Sequence, residues 1–243
     1  MELTIGCCGW GYFNAKSRFG NDWKSKFKSK LQAYAHVFNA VEVNSTFYKL
    51  PQFKTAQKWY EEAKEVNENF IFTVKVHQEI THKLRFGKEN IPMFEKVKQI
   101  CEALNSRILL FQTPASFKPI QENIEKLEEF FRNIERDHMV FVWEPRGAWH
   151  DNAEIIKSLC KKLNLVLCVD PLRNELVCKK PVAYFRLHGF GKPSMYNYKF
   201  SDEELKRLKT IVEETKATHT YVFFNNIYMY EDAIRFSKLF KEK

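Results

Sequence analysis

The sequence predicts one α/β domain over residues 1–243, a single (β/α)8 barrel of parallel strands, on three observations. Eight short runs rich in β-branched and aromatic residues recur along the chain. The stretches between them carry apolar residues three and four apart, the spacing of amphipathic helices. All eight glycines read as following a strand and preceding a helix. In a barrel those segments form the C-terminal face, where functional loops gather. A doubly wound open sheet is the competing arrangement of the same alternation.

The strands fall at about 3–6, 40–44, 70–76, 107–111, 139–143, 165–169, 182–187 and 220–224. Leu31, Tyr34, Ala35 and Phe38 form the first helical stripe, and Ala56, Trp59, Tyr60 and Ala63 the second. Met93, Val97, Ile100, Cys101 and Leu104 make the third; Ile120, Ile124, Leu127, Phe131 and Ile134 make the fourth. Ile156, Leu159, Cys160 and Leu163 follow. The sixth connection, Asp170 to Pro181, is too short for a full helix, and a turn or brief helical piece is expected there. Ser201-Asp202-Glu203-Glu204 is a capping box ahead of Leu205, Leu208 and Val212, and Ala233, Phe236 and Phe240 carry the last stripe. Asn69, Asn105 and Asn164 stand where helices return to strands and are expected to take left-handed backbone there.

Composition narrows the class. With 44% hydrophobic and 15% aromatic residues the chain can bury a large core. It has no uninterrupted apolar run of about 18 residues, so no membrane span is expected. The start Met1-Glu2-Leu3-Thr4-Ile5 does not read as a secretory signal. Six cysteines without a C-x-x-C pair, three of them in apolar periodic segments, read as reduced core thiols of a cytoplasmic protein. The net charge of +9 is uneven: residues 1–121 hold 18 Lys and Arg against 11 Asp and Glu, residues 122–243 hold 21 against 19. Lys16, Arg18, Lys24, Lys26, Lys28 and Lys30 concentrate that excess. Such a cluster can attract nucleic acid; its ordinary role is a solvated loop and helix start.

Strand alternation assigns what faces the barrel interior. Val41 and Val43 point to the helices, leaving Glu42 and Asn44 inward. The same logic turns Thr73, Lys75 and His77 inward, and Tyr184, Arg186 and His188 after them. Other strands end in Gln112, Glu144, Asp170 and Asn225-Asn226. Buried charges are costly unless paired, so this ring is either mutually neutralised or opens into a cavity. Lys75 suits a Schiff-base amine, a phosphate anchor or a structural partner of Glu42. Glu42 and Glu144 suit a general acid–base pair, and Arg146 with Arg186 a bidentate clamp on a carboxylate or phosphate. Asn44, Gln112, Asn225 and Asn226 can orient hydroxyls, with Asp170 and His188 beside them. Trp10, Tyr12, Phe47, Tyr48 and Trp149 can stack a ring at the mouth or simply anchor loops. His77, His82 and His188 are candidate ligands for a divalent metal, although their spacing matches no ligand motif. His188-Gly189-Phe190-Gly191 is a lone Gly-x-Gly, and no nucleotide-cofactor motif is present.

Gly6-Cys7-Cys8-Gly9-Trp10, Val41-Glu42-Val43-Asn44-Ser45-Thr46-Phe47-Tyr48-Lys49-Leu50-Pro51 and Phe72-Thr73-Val74-Lys75-Val76 with Ile80-Thr81-His82 follow in one order. Leu110-Phe111-Gln112-Thr113-Pro114-Ala115-Ser116-Phe117, Trp143-Glu144-Pro145-Arg146 with Trp149, Tyr184-Phe185-Arg186-Leu187-His188-Gly189 and Phe223-Phe224-Asn225-Asn226 continue it. The series resembles the YecE-like family, the domain of unknown function family seventy-two, across essentially the whole chain. The resemblance implies a TIM-type barrel and supplies no reaction. This chain departs from the family in carrying Cys8 where Gly-x-Ser-Gly is usual. It also reads Trp143-Glu144-Pro145-Arg146-Gly147-Ala148-Trp149 where Glu-Phe-Arg-His-Pro-Ser-Trp is common. The histidine is missing, and the acid and arginine sit one place nearer the tryptophan.

Three functions are consistent with these residues. The first is an enzyme of hydrolase, lyase or isomerase type acting on a small anionic or sugar-like substrate at the C-terminal mouth. The second is a nucleic-acid binding or processing protein using the early basic cluster. The third is a non-catalytic ligand-binding or scaffold barrel.

Overall fold

The computed structural model describes residues 1–240. Eight parallel strands close into a barrel in sequential order: β1 Glu2–Cys7, β2 Ala40–Val43, β3 Ile71–Lys75, β4 Ile108–Gln112, β5 Val140–Glu144, β6 Val166–Val169, β7 Val182–Leu187 and β8 His219–Phe224. Three short helices, α1 Ala15–Phe19, α2 Trp23–Lys26 and α3 Lys30–Ala35, fill the connection after β1, where the sequence showed one apolar stripe. Single helices follow the next four strands: α4 Phe53–Lys64, α5 Ile91–Ala103, α6 Gln121–Asn133 and α7 Ala153–Lys162. No helix separates β6 from β7, as the short sixth connection implied. Helices α8 Asp202–Glu214 and α9 Met229–Lys238 complete the ring. No helix among the described residues is long and apolar enough to cross a membrane.

Alternation along the strands separates two cores. Ala40, Leu110, Val142, Cys168, Tyr184 and Phe223 fill the barrel with Ile108 and Val166, packed on Ile71, Val140 and Val182 below. Val41, Val43, Phe72, Val74, Leu109, Phe111, Phe141 and Trp143 point the other way, against the apolar helix faces. Phenylalanine dominates the outer layer between β4, β5, α5 and α6. There the Phe111 ring meets Phe131 edge-on at 5.0 Å and Phe141 at 5.2 Å. Beside β1 and β2, Tyr34 ties α3 to the sheet: its hydroxyl accepts from the Cys7 amide and donates to the Ala40 carbonyl, at 2.8 and 2.7 Å.

The capping box forms as the sequence indicated. The Ser201 side chain accepts from the Glu204 amide, and the Glu204 carboxylate accepts from the Ser201 amide. Asn105 and Asn164 adopt positive φ at helix ends, at 46° and 49°, whereas Asn69 does not; Asp137 and Lys216 take two further left-handed positions. The glycine reading also needs one correction. Gly6 lies within β1, facing Ala40 of β2, because no side chain fits there: an added Cβ would meet the Ala40 oxygen at 2.2 Å.

Phe86 takes φ 65° in the loop between β3 and α5, an unusual backbone for a bulky side chain. Its ring is buried among Phe117, Phe130 and Phe131, so apolar burial offsets the local strain and pins the loop that carries His82.

Gly6→Ala is expected to lower stability by about 1–3 kcal/mol through overpacking between β1 and β2. Urea unfolding should show a lower midpoint with an unchanged slope. An unchanged midpoint would mean the two strands separate without cost.

Candidate active site

The C-terminal ends of the strands carry the polar residues, and one guanidinium organises them. Arg186, on β7, is fully buried. Its Nη2 and Nε donate to Glu42 Oε1 at 2.9 and 3.2 Å, and its Nη1 donates to Glu144 Oε2 at 2.5 Å. The Tyr184 hydroxyl donates to Glu42 Oε2 at 2.7 Å, and Thr73 Oγ1 lies 2.9 Å from that hydroxyl. Since Tyr184 gives its proton to Glu42, Thr73 is the donor in the second bond. Both oxygens of Glu42 are thereby occupied. Glu144 is occupied as well, because Arg146 Nη2 sits 2.5 Å from its Oε1.

Burial alone would raise the Glu144 carboxyl, but Arg186 and Arg146, helped by His188 and Lys75, hold it below the ordinary carboxylate range. Burial also opposes the charge on Arg186, and Glu144 and Glu42 more than compensate. This layer is the floor of the mouth.

Above it, His188 is set by two neighbours. Its amide donates to Asp170 Oδ2 at 2.9 Å. Its Nε2 lies 2.8 Å from Arg146 Nη2, and a guanidinium can only donate, so Nε2 carries the lone pair and Nδ1 the proton. Nδ1 faces Asp170 Oδ2 at 3.6 Å. Burial lowers the pKa of His188, consistent with a neutral ring. Asp170 also accepts from the Leu172 amide, at 3.2 Å, and so shapes the start of the sixth connection.

Lys75 differs from the arginines. It makes no ion pair with a carboxylate among the described residues. Its ammonium donates to Gln112 Oε1 at 2.7 Å and lies 4.0 Å from the centre of the Phe47 ring. Burial, with the nearby Arg186 charge, lowers its pKa to about 8.

Two hollows meet over this floor. One, of about 630 Å³, is lined by His82, Glu144, Arg146, His150, Asp170, Arg173 and His188. The other, of about 660 Å³, is lined by Cys8, Tyr12, Asn44, Phe47, Tyr48, Lys75, Arg186, Asn225 and Asn226. Gln112 and Tyr196 belong to both, so the mouth is one groove, its arginine–carboxylate pairs and histidines concentrated in one half and its aromatic rings and amides in the other. Four cations, Lys75, Arg146, Arg173 and Arg186, stand against three carboxylates, Glu42, Glu144 and Asp170. His82 is neutral, its pKa lowered to about 4 by burial and by Lys75 and Arg146. Arg146 Nε and Asn44 Oδ1 are buried without hydrogen-bond partners among the described residues, and such groups are costly to leave unsatisfied.

The structure brings together Glu42, Asn44, Lys75, Gln112, Glu144, Arg146, Asp170, Arg186, His188, Asn225 and Asn226, all of which the sequence nominated. It does not bring in Trp10, which packs edge-on against Trp59 at 5.0 Å, outside the lining of either hollow. Trp149 is buried as well, its indole N–H donating to the Phe117 carbonyl. The reading of Lys75 as partner of Glu42 is corrected: Arg186 and Tyr184 take that carboxylate. Asn226 is committed to structure, donating to the Tyr198 carbonyl and to Asp232 Oδ2, both at 2.7 Å. His77 turns to the Tyr48 carbonyl at 3.2 Å, and His82 and His188 have separate partners. Among the described residues no group of three or more His, Cys, Asp or Glu side chains converges as a metal site would require. Arg173 and Tyr196 are functional candidates that the sequence reading missed. Both lie in irregular connections, where no periodicity marks a facing direction.

Comparison with known proteins supports the same barrel. The family model described as "Protein of unknown function DUF72" matches residues 4–243. A solved DUF72 family protein from Thermotoga maritima MSB8 is 25% identical, with all of both chains covered and a TM-score of 0.76. One from Enterococcus faecalis V583 is 20% identical, covering 100% of this chain and 98% of the other, with a TM-score of 0.73. The UPF0759 protein YunF of Bacillus subtilis (strain 168) is 33% identical over 134 residues, 51% of this chain and 44% of that protein. The chain thus matches less than half the length of this relative. Two further barrels, D-psicose 3-epimerase and a family 2 AP endonuclease from Brucella melitensis, share only the fold, at 10% identity and TM-scores of 0.61 and 0.58.

Arg186→Met is expected to cost about 3–5 kcal/mol, because it strands two buried carboxylates. Adding Glu42→Gln and Glu144→Gln should recover a large part of that loss. Denaturant unfolding of the variants tests the layer: a cost below about 1 kcal/mol for Arg186→Met would mean the three groups are not coupled. Because Glu144 sits below its ordinary value, its contribution is complete above that value and lost as the pH falls beneath it. Removing Arg186 should flatten the acid limb of the stability curve.

Proposed function

This chain belongs to the DUF72 family, and we propose that it is an enzyme acting on a small anionic or sugar-like substrate in the groove above Arg186. The observation that carries this reading is the placement of Lys75: an amine set between Gln112 and Phe47, facing a ligand-sized hollow, with no carboxylate in ion-pair contact among the described residues. The arginines of the mouth are engaged: Arg186 and Arg146 pair with Glu42 and Glu144, and Arg173 stands 4.0 Å from Asp170 Oδ2 and donates to the Gly189 carbonyl at 2.7 Å. Lys75 is therefore the group free to change protonation when a substrate arrives.

The roles divide accordingly. Arg146 and Arg173 supply cationic edges for a carboxylate or phosphate. The amides of Asn44, Gln112 and Asn225 suit hydroxyl groups, and Tyr12, Tyr48 and Tyr196 offer ring faces at the rim. With a pKa near 8, Lys75 exchanges a proton readily at neutral pH and can take one from substrate and return it. Glu144, held anionic with both oxygens paired, positions Arg186 and Arg146 and is no proton donor at neutral pH. Glu42 positions Arg186 from beneath.

The polyanion reading draws less support. Of the early basic cluster, Lys26 pairs with Asp22 at 3.2 Å, Lys28 pairs with Glu65 at 2.7 Å, and Lys30 donates to the Gly11 carbonyl at 3.0 Å. Half of the cluster is thus engaged locally.

Binding of sugar phosphates, followed by calorimetry, should weaken as pH rises through about 8, because Lys75 loses the charge that attracts the anion. Lys75→Met should bind these ligands more weakly and with no such pH dependence. The same variant carries a stability signature. A lysine depressed from 10.5 to about 8 destabilises the fold fully below pH 8 and less as pH rises toward 10.5. Lys75→Met should therefore stabilise the protein near pH 7 by as much as about 3 kcal/mol, the gain fading in alkali. Unaltered binding by Lys75→Met at pH 7 and pH 9 would sink the enzyme reading.

A further inference from the structure

Lys75 closes β3, and its neighbours orient the amine as well as desolvating it. Thr46 Oγ1 reaches the Val43 and Lys75 carbonyls, at 2.6 and 2.7 Å, which locks the end of β3 to that of β2. At the tip of the side chain, Gln112 Nε2 donates to the Thr113 carbonyl at 3.4 Å. The amide therefore turns its oxygen, which can only accept, toward Lys75 Nζ at 2.7 Å. The Phe47 ring centre lies 4.0 Å from the same nitrogen, and Tyr48 and His82 meet that ring edge-on at 5.0 and 4.8 Å.

A neutral amine has two N–H bonds and one lone pair. The Gln112 oxygen and the Phe47 face are both acceptors, so they take the two N–H bonds. The lone pair is left the remaining side, on the hollow of about 660 Å³ that Lys75 lines. Burial and then Arg186 of β7 work against the ammonium form; Glu144 of β5, Glu42 of β2 and Cys8 after β1 favour it, and the first two prevail. Both carboxylates are already bonded to arginines, and His82, in the loop after β3, is neutral. A positioned amine with its lone pair open to a ligand-sized hollow is what nucleophilic attack on a carbonyl carbon requires.

We propose that Lys75 forms an imine with an aldehyde or ketone substrate that also bears a carboxylate or phosphate. Such a substrate falls within the small anionic or sugar-like class assigned to this groove, and the imine depends on that assignment. The Nζ lone pair forms the N–C bond as the carbonyl π pair moves to oxygen. A proton passes from nitrogen through water to that oxygen, giving a carbinolamine. A second proton, from water in the open groove, lets the C–O bond break, and the oxygen leaves as water while the nitrogen lone pair closes the C=N bond. The sum is one amine, one carbonyl and one proton giving one iminium and one water. The iminium draws electrons from the adjoining C–H or C–C bond, which is the activation an isomerase or lyase needs. Gln112 lines both hollows, so the anionic group of the same molecule can reach the half that holds Arg146 and Arg173.

Reductive trapping on the intact chain tests the imine. Sodium cyanoborohydride is added with pyruvate, glycolaldehyde phosphate or dihydroxyacetone phosphate, and adducts are located by intact mass and peptide mapping. The expected result is one adduct per chain, on Lys75, formed at pH 7 roughly tenfold or more faster than on exposed lysines, which stay protonated to about pH 10. Its rate should rise as pH passes through about 8. Lys75→Met should carry no such adduct. Adducts spread evenly over surface lysines, or a single adduct that persists in Lys75→Met, would overturn the imine. No Lys75 adduct with any of the three probes would overturn it too. Weaker, pH-independent ligand binding by Lys75→Met would in that case leave the proton-exchange role of the lysine standing without it.

Discussion

A guanidinium removed from water between two carboxylates is the constraint on which the rest of this barrel depends. Arg186 comes from β7, Glu42 from β2 and Glu144 from β5, so three walls of the barrel meet in one set of charge-assisted bonds. None of the three groups tolerates burial alone, and each is neutralised only when the strands are in register. The layer therefore fixes geometry more than it adds stability. It also seals the apolar interior: below it lie Leu110, Val142, Tyr184 and Phe223, and above it the polar groove begins.

Because the floor largely cancels its own charge, the character of the mouth is set at the rim. Arg146 bridges the two levels, pairing with Glu144 while fixing the His188 tautomer. Lys75 is left in a partly desolvated position with an amide and a ring face for company. Retaining an amine there without an ion-pair partner works against the stability of the free protein. The aromatic half of the groove and its amides add shape without further charge.

Much of this was legible in the sequence, for identifiable reasons. Period-two alternation in Val41-Glu42-Val43-Asn44 and Tyr184-Phe185-Arg186-Leu187 decides which side chains face the barrel axis, and closure into a ring does not alter it. What alternation cannot give is partnership across the ring. Glu42 and Arg186 stand 144 positions apart, and nothing local says that Arg186 rather than Lys75 takes that carboxylate. The assignment of Glu144 as a proton carrier depended on the same missing knowledge, since two arginines hold it ionised. Trp10 was misplaced because a tryptophan after a strand looks alike whether it lines a groove or packs on a neighbouring helix. Arg173 and Tyr196 lie in stretches with no period, where facing direction emerges only from tertiary packing.

The seam between β1 and β8 has a bearing on how the molecule is made. Six register pairs run from Glu2↔His219 to Cys7↔Phe224, as many as join β7 to β8. During synthesis β1 emerges first and must wait with one edge exposed until the chain beyond residue 219 has left the ribosome. Its other edge gains only two pairs from β2, at Gly6 and Cys7. An unpaired, largely apolar strand edge is a template for contacts with other nascent chains. Glu2 at its start and Thr4 within it blunt that edge with polar groups, and in the closed ring both reach His219 of β8, at 3.2 and 2.9 Å. The residues that keep β1 uninviting while it waits are the same ones that let it close the ring.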